Sequence, residues 1–203
     1  MTQPSREITF FLKADHIYVF FPLFQQGVQI TARVGCSIQS LLCDQYDLSA
    51  NYLAERINTI FLDGQPVDDM ATAIVRNGAT LALSAAMPGL VGATFRKAGY
   101  LAPFRGSITY RDEDHGGRTR REGTIILKLF NLLLKEMGGP ILERGIRMEG
   151  QQLINFFRTN KNNHDTIFKR IAKNGRDLSP AEIADPQWIS PADVYFLKTA
   201  WDH

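Results

Sequence analysis

Two turn signals frame the stretch that most constrains this chain, INTIFLDGQPVDDMATAIVRNGATLALSAAMPG from Ile57. Ile57, Thr59 and Phe61 alternate with Ile60 and Leu62, and both sets are apolar or β-branched, which predicts a buried strand over 57–62. Asp63-Gly64 closes it, because glycine supplies the positive φ that a tight turn needs. Pro66 lacks an N–H, so Gln65-Pro66-Val67 cannot continue as a central strand. Asn77-Gly78 is a second turn. It opens a strand over 79–85 with Leu81 and Leu83 on one face and small residues on the other. Two strands closed by glycine turns and joined by an irregular crossing predict a small mixed sheet.

The preceding residues supply partners for that sheet. Residues 8–12 and 17–21 are dense in β-branched and aromatic side chains and read as two strands, or as one strand with an irregular break at Lys13-Ala14-Asp15. Val28, Ile30, Ala32 and Val34 alternate with Gln29, Thr31 and Arg33, the signature of a half-buried strand. Ser37 can cap a helix from Ile38 to about Tyr46, with Leu41, Leu42 and Tyr46 on its inner face.

Strand, strand, helix, strand, crossing and strand make a β-grasp arrangement. Residues 28–86 resemble the ubiquitin-like sulfur-carrier proteins of thiamin and molybdopterin synthesis. The matching pieces are VQITARVGCSIQSLL, INTIFLDGQPVDD and IVRNGATLALSAAMPG. The resemblance implies a carrier whose terminal Gly-Gly carboxylate is adenylated and becomes a thiocarboxylate. Here the last strand leads instead into Pro88-Gly89-Leu90-Val91-Gly92 and the chain runs on to His203, so carrier chemistry would need cleavage at a new glycine end.

Residues 89–123 read as a Gly-rich connector and a charged loop. Arg96, Lys97 and Arg105 among glycines form a candidate anion site, although the spacing matches no phosphate-binding fingerprint. Asp112, Glu113, Asp114 and His115 face Arg118, Arg120 and Arg121 across Gly116-Gly117. Carboxylates with a histidine can hold a hard cation, but a short run of mixed charge is expected as a solvated loop tip. From Thr124 onward a helical domain, 124–203, is expected. A nearly all-round apolar helix spans 125–137 and stops at Gly138-Gly139-Pro140. Further helices are expected over 149–158, at 167–171, and after the two Ser-Pro starts, Ser179-Pro180-Ala181-Glu182 and Ser190-Pro191-Ala192-Asp193.

Composition excludes more than it identifies. With 23 basic and 21 acidic residues the chain offers no electrostatic case for nucleic acid or an anionic membrane. Lys161, Lys169, Arg170, Lys173 and Arg176 lie among Asp165, Asp177, Glu182 and Asp185, a solvated face rather than a groove reader. The apolar runs fall short of a membrane span, and MTQPSREITFFLK has no secretory pattern, so a cytoplasmic location is expected. Cys36 and Cys43, seven residues apart along one expected helix, are too far apart to bridge, and no histidine stands at zinc-ligand spacing. Cys36, after Gly35 at a helix start, is the candidate reactive thiol. No Gly-x-Ser-x-Gly elbow and no catalytic set is present, and neither cofactor nor metal is implied.

The expected class is α+β: a β-grasp-like mixed sheet with one helix over 1–88, the connector 89–123, and a mainly helical part over 124–203. The leading functional expectation is a non-enzymatic binding or scaffold module with a protein partner or a second copy. The alternatives are a sulfur-transfer or cofactor-biosynthesis protein and a small-anion binder.

Overall fold

A computed structural model describes residues 6–13, 16–86, 89–97, 99–105, 108–110 and 119–201. The protein is α+β. Its strands in chain order are β1 (Glu7–Leu12), β2 (Val28–Val34), β3 (Cys36–Ser37), β4 (Thr59–Leu62), β5 (Gln65–Pro66), β6 (Ile74–Val75), β7 (Thr80–Ser84), β8 (Arg121–Phe130), β9 (Ile146–Glu149), β10 (Phe168–Lys173), β11 (Arg176–Asp177) and β12 (Val194–Trp201). The α-helices are α1 (Phe21–Gln26), α2 (Ile38–Ser40), α3 (Ala50–Arg56), α4 (Gly89–Phe95), α5 (Leu132–Arg144), α6 (Gly150–Thr159), α7 (His164–Ile167) and α8 (Pro180–Ala184). Short 3-10 turns and one π-helical turn, Leu41–Gln45, complete the described elements. No helix among the described residues is long and apolar enough to cross a membrane.

Packing divides the chain into two compact units, 22–136 and 1–21 with 137–203. This division falls elsewhere than the expected 1–88, 89–123 and 124–203.

In the 22–136 unit the strands lie in the order β2-β8-β7-β4-β5. β8 is antiparallel to β2 and parallel to β7, and β4 is antiparallel to β7 and β5. The turn between β4 and β5 sits in the left-handed region at Asp63 (φ 51°) and Gly64 (φ 80°), as the Asp-Gly pair requires. Pro66 lies on the short β5 beside β4, where a missing N–H is tolerated. Ile125, Leu127 and Leu129 point inward with Leu81, Leu83, Ile60 and Leu62, and meet a core that includes Ile38, Leu41, Leu53 and Ile57. Ser37 caps α2 by accepting from the Ser40 N–H at 3.1 Å. The helix expected from Ile38 to about Tyr46 is present as α2 running into the π turn; Asp47 (φ 57°) ends it, and α3 starts afresh on a Ser49 cap, so more than one helix packs on this sheet.

In the other unit the order is β11-β10-β1-β12-β9, with β1 parallel to β12 and antiparallel to β10. Ile8, Phe10 and Leu12 are buried on one face of β1. The Phe10 ring packs on Phe20, Phe156, Phe157 and Phe168 with centroids 5.2–6.0 Å apart, the range in which aromatic pairs add to area burial. His164 joins this cluster against Phe157, and burial pushes its imidazole below the ordinary histidine range.

Several expected elements change type. Residues 17–21 form a 3-10 turn running into α1, not a strand, with Pro22 early in that helix and only Phe20 and Phe24 turned inside. Residues 125–130 belong to β8 rather than to a helix. Alternate burial of Ile125, Leu127 and Leu129 shows the period of two, which an almost uninterrupted apolar run conceals from sequence. Asn131 (φ 56°) separates β8 from α5, and α5 runs through Gly138-Gly139-Pro140 instead of stopping there. Residues 168–173 form β10 after the single turn of α7. Ser190-Pro191 opens no helix. Its turn gives the Asp193 and Pro191 carbonyls to the N–H groups of Gly150 and Gln151 at the start of α6, and the chain then enters β12. The C-terminal part is therefore not mainly helical.

The expected short strand near 107–111 is absent at the described 108–110. The mixed-charge run 112–118, with His115, lies outside the described residues, as do Met87-Pro88, Gly106 and His203. The basic set near 170 is paired as a solvated face would be: Arg170 with Asp177 at 2.9 Å and Arg176 with Glu182 at 2.6 Å.

At α8 the capping box is complete. Ser179 Oγ accepts from the Glu182 N–H, and the Glu182 carboxylate accepts from the Ser179 N–H. The Arg176 guanidinium first, then the Ser179 bonds, hold the Glu182 carboxyl down at about 2. A depressed carboxylate contributes stability above its unfolded pKa, near 4.5, and loses it as pH falls through the folded value near 2. Glu182→Gln should remove that part of the acid sensitivity. Urea melts at neutral pH and at about pH 3 should show wild type losing more of its midpoint than the variant.

Candidate functional site

The outward face of the 22–136 sheet carries an unusual row of side chains. On β7 the outward residues are Thr80, Ala82 and Ser84, all small. On either side stand large ones. Phe61 lies beside Ala82 on β4, backed by Phe95 of α4 with ring centroids 5.3 Å apart. On β8, Ile126 lies beside Thr80, Lys128 beside Ala82 and Phe130 beside Ser84. A small central strand between two bulky ones leaves a trough along β7. It encloses about 500 Å³, lined by Thr59, Phe61, Ala82, Ser84, Lys128 and Phe130 among others. From Thr80 to Ser84 the floor runs about 13 Å, and from β4 to β8 the width is about 10 Å.

The rim is held in place. Gly27 takes φ +115°, and a Cβ added there would come 2.7 Å from Ile126 Cγ2 and 3.2 Å from Lys128 Cε, so only glycine leaves room for these two stems. At the Ser84 end the Asn131 amide donates to Ser84 Oγ at 3.0 Å and to the Ala86 carbonyl, while Ser84 Oγ donates to that same carbonyl at 3.1 Å. Among the described residues Lys128 makes no ion pair and is the one charged side chain lining the trough.

The residues singled out from sequence behave differently. Arg105 is almost fully buried. Its guanidinium has five N–H donors. Nε donates to the Thr94 carbonyl at 2.8 Å, Nη1 to Asp68 at 3.2 Å and Thr109 Oγ1 at 3.1 Å, and Nη2 to Asp68 at 2.6 Å and the Arg96 carbonyl at 3.2 Å. Every donor has a protein acceptor, so Arg105 holds its own loop and has none left for an external anion. Lys97 donates from Nζ to the Leu53 carbonyl at 2.6 Å, and burial lowers its pKa. Arg96 is exposed, and shares with Lys97 a cleft of about 620 Å³ that Asn58 and Tyr100 also line. The three cations therefore do not converge on one anion site.

Cys36 is not a helix residue but part of β3, buried, with its thiol donating to the Arg33 carbonyl at 3.2 Å. Burial pushes its pKa up, the opposite of what a reactive thiol needs. The Gln45 amide accepts from the Arg33 N–H at 2.8 Å and donates to the Arg33 carbonyl at 3.0 Å, and so occupies a backbone pair of β2 as a neighbouring strand would. Tyr52 and Arg56 of α3 both bond the Glu136 carboxylate. The Arg56 guanidinium pulls that carboxyl below its usual range, while burial and the nearby carboxylate push the Tyr52 hydroxyl up. That trio is a clasp whose polar atoms are engaged with one another. Among the described residues no group of three or more His, Cys, Asp or Glu could hold a metal ion.

Of the trough residues, the outward row of small side chains on β7 is readable in the sequence. Lys128 and Phe130 are not, because their segment reads as a helix. No protein-family model, no curated protein and no solved structure matches this chain.

Two outcomes follow from these placements. Arg105→Met should take the guanidinium away from Asp68 and from the Thr94 and Arg96 carbonyls, and lower the unfolding free energy by about 3 kcal/mol in a urea melt. A thiol reagent at neutral pH should modify the partly exposed Cys43 in the folded protein and reach Cys36 only at the rate of unfolding.

Proposed function

We propose that the chain is a non-enzymatic binding module whose ligand site is the trough on the outward sheet face. The carrying observation is the hollow of about 500 Å³ over Ala82, between Phe61 on one wall and Lys128 and Phe130 on the other. Its volume falls in the range of small-molecule sites, and its lining is apolar with few polar groups. The floor and β8 wall are strands whose register fixes each side chain, a more rigid platform than the turns that bear Arg96 and Lys97.

The occupant is a small molecule rather than a protein partner or a second copy. The trough offers a footprint of about 130 Å² by its strand spacings, far below the roughly 800 Å² that a partner buries in a stable complex. Beyond Ile126 the same face turns polar at Gln29, Thr31 and Arg33 of β2, so the apolar patch ends there.

The β-grasp reading supports the same conclusion. β2, the helical segments after it, β4 and β7 follow the expected order, and β8 takes the place beside β2 that an earlier strand was expected to fill. In this reading the sheet is a β-grasp with one strand supplied from later in the chain. β-Grasp sheets present a face to what they bind, an argument from fold alone.

Ala82→Phe tests the proposal. Phenylalanine suits a strand better than alanine, so the variant should keep its circular dichroism and melting midpoint while filling the trough. Wild type should bind the neutral dye Nile red saturably, and the variant at least about tenfold more weakly. Equal binding by the two proteins, or no saturable binding by wild type, would remove the trough as a site.

A further inference from the structure

The electrostatics of the trough identify the class of its ligand. Among the described residues Lys128 is the one charged side chain in the lining, which holds no Asp or Glu. No other described residue pairs with Lys128, which stands on the β8 wall opposite Phe61. The polar groups at the far end are already occupied. Ser84 Oγ spends its hydrogen on the Ala86 carbonyl and accepts from Asn131, which also donates to Ala86. That leaves Lys128 as the anchor able to select a ligand by charge. Its stem lies against Gly27, clear of the floor, and its ammonium has three rotatable donors.

We propose that the ligand is an elongated apolar monocarboxylate. Its tail lies along Thr80, Ala82 and Ser84 between Phe61 and Phe130, and its carboxylate meets the Lys128 ammonium. A single cation selects a single anion, and an apolar lining next to it strengthens the pair relative to bulk water. A straight chain of about ten carbons spans the floor of about 13 Å. Each buried methylene adds about 0.8 kcal/mol of driving force. The idea rests on the trough being the binding site and adds the charge and shape of what fills it.

The test compares three probes of one length, decanoate, decanol and decyltrimethylammonium, titrated calorimetrically below their micelle concentrations. Decanoate should bind with one saturable site, decanol at least about tenfold more weakly, and the cation more weakly still. Lys128→Met keeps an apolar stem and should bring decanoate and decanol to equal affinity, and Lys128→Gln repeats the comparison should the methionine variant not fold. Added salt should weaken decanoate alone. If decanol or the cation binds as tightly as decanoate, or if the acid preference survives in both Lys128 variants, the carboxylate assignment is wrong while the trough stands. If none of the three binds, or if Ala82→Phe leaves decanoate binding unchanged, the trough itself fails and the assignment falls with it.

Discussion

The pairing of β8 between β2 and β7 governs the 22–136 unit. Every residue of that strand has a fixed partner on at least one side: Arg121 to Leu127 pair with β2 and Ile126 to Phe130 with β7, so that Leu127 lies beside both Val28 and Leu81, and Lys128 beside Ala82. Because side chains alternate strictly along a strand, one register assigns Ile125, Leu127 and Leu129 to the core and Ile126, Lys128 and Phe130 to the outer face. A slip by one residue would bury a lysine and expose three aliphatic side chains. The trough and the core are thus two sides of the same constraint. The trough takes its geometry from the register of that strand.

The charged groups divide into those that build and those that are left over. Arg105 and Asp68 close one loop, and Tyr52, Arg56 and Glu136 tie α3 to the start of α5. In each cluster the donors and acceptors face one another, so neither has a free group with which to carry chemistry. A buried guanidinium with five satisfied donors is an expensive anchor to build, and removing either partner costs more than the pair contributes. Lys128 differs in having no such partner among the described residues. It stands at the wall of a hollow whose other lining side chains, among the described residues, are uncharged.

Much of this was legible from residue pattern, and what was not has physical reasons. The alternation Val28–Val34, the Asp63-Gly64 turn, the Ser37 cap and the Ser179 capping box are local signals and all four appear in the fold. The failures cluster where local and tertiary preferences compete. Residues 125–137 are apolar on nearly every side, which suits a buried helix and a central strand equally, and tertiary pairing decides between them. Ser190-Pro191-Ala192-Asp193 has every mark of a helix start, yet its carbonyls are used to cap α6 and Gly150 packs so tightly against Ser190 that a Cβ would lie 1.9 Å from its carbonyl oxygen. Sequence alone suggests Arg105 as an anion ligand because its partner Asp68 lies far off along the chain.

The outward residues of β7 bear on function through what they forgo. A strand paired on both sides gains from β-branched or aromatic neighbours across the sheet, about 0.2–1 kcal/mol for each pair. Ala82 and Ser84 decline most of that gain, and alanine is a poor strand former. Phe61 and Phe130 beside them are large enough to have met a bulky side chain at position 82 and closed the face. A chain shaped by stability alone would fill that hollow. Where local preference is set aside on a rigid element, beside a cation with no ion-pair partner among the described residues, the departure supports the reading that something occupies the space.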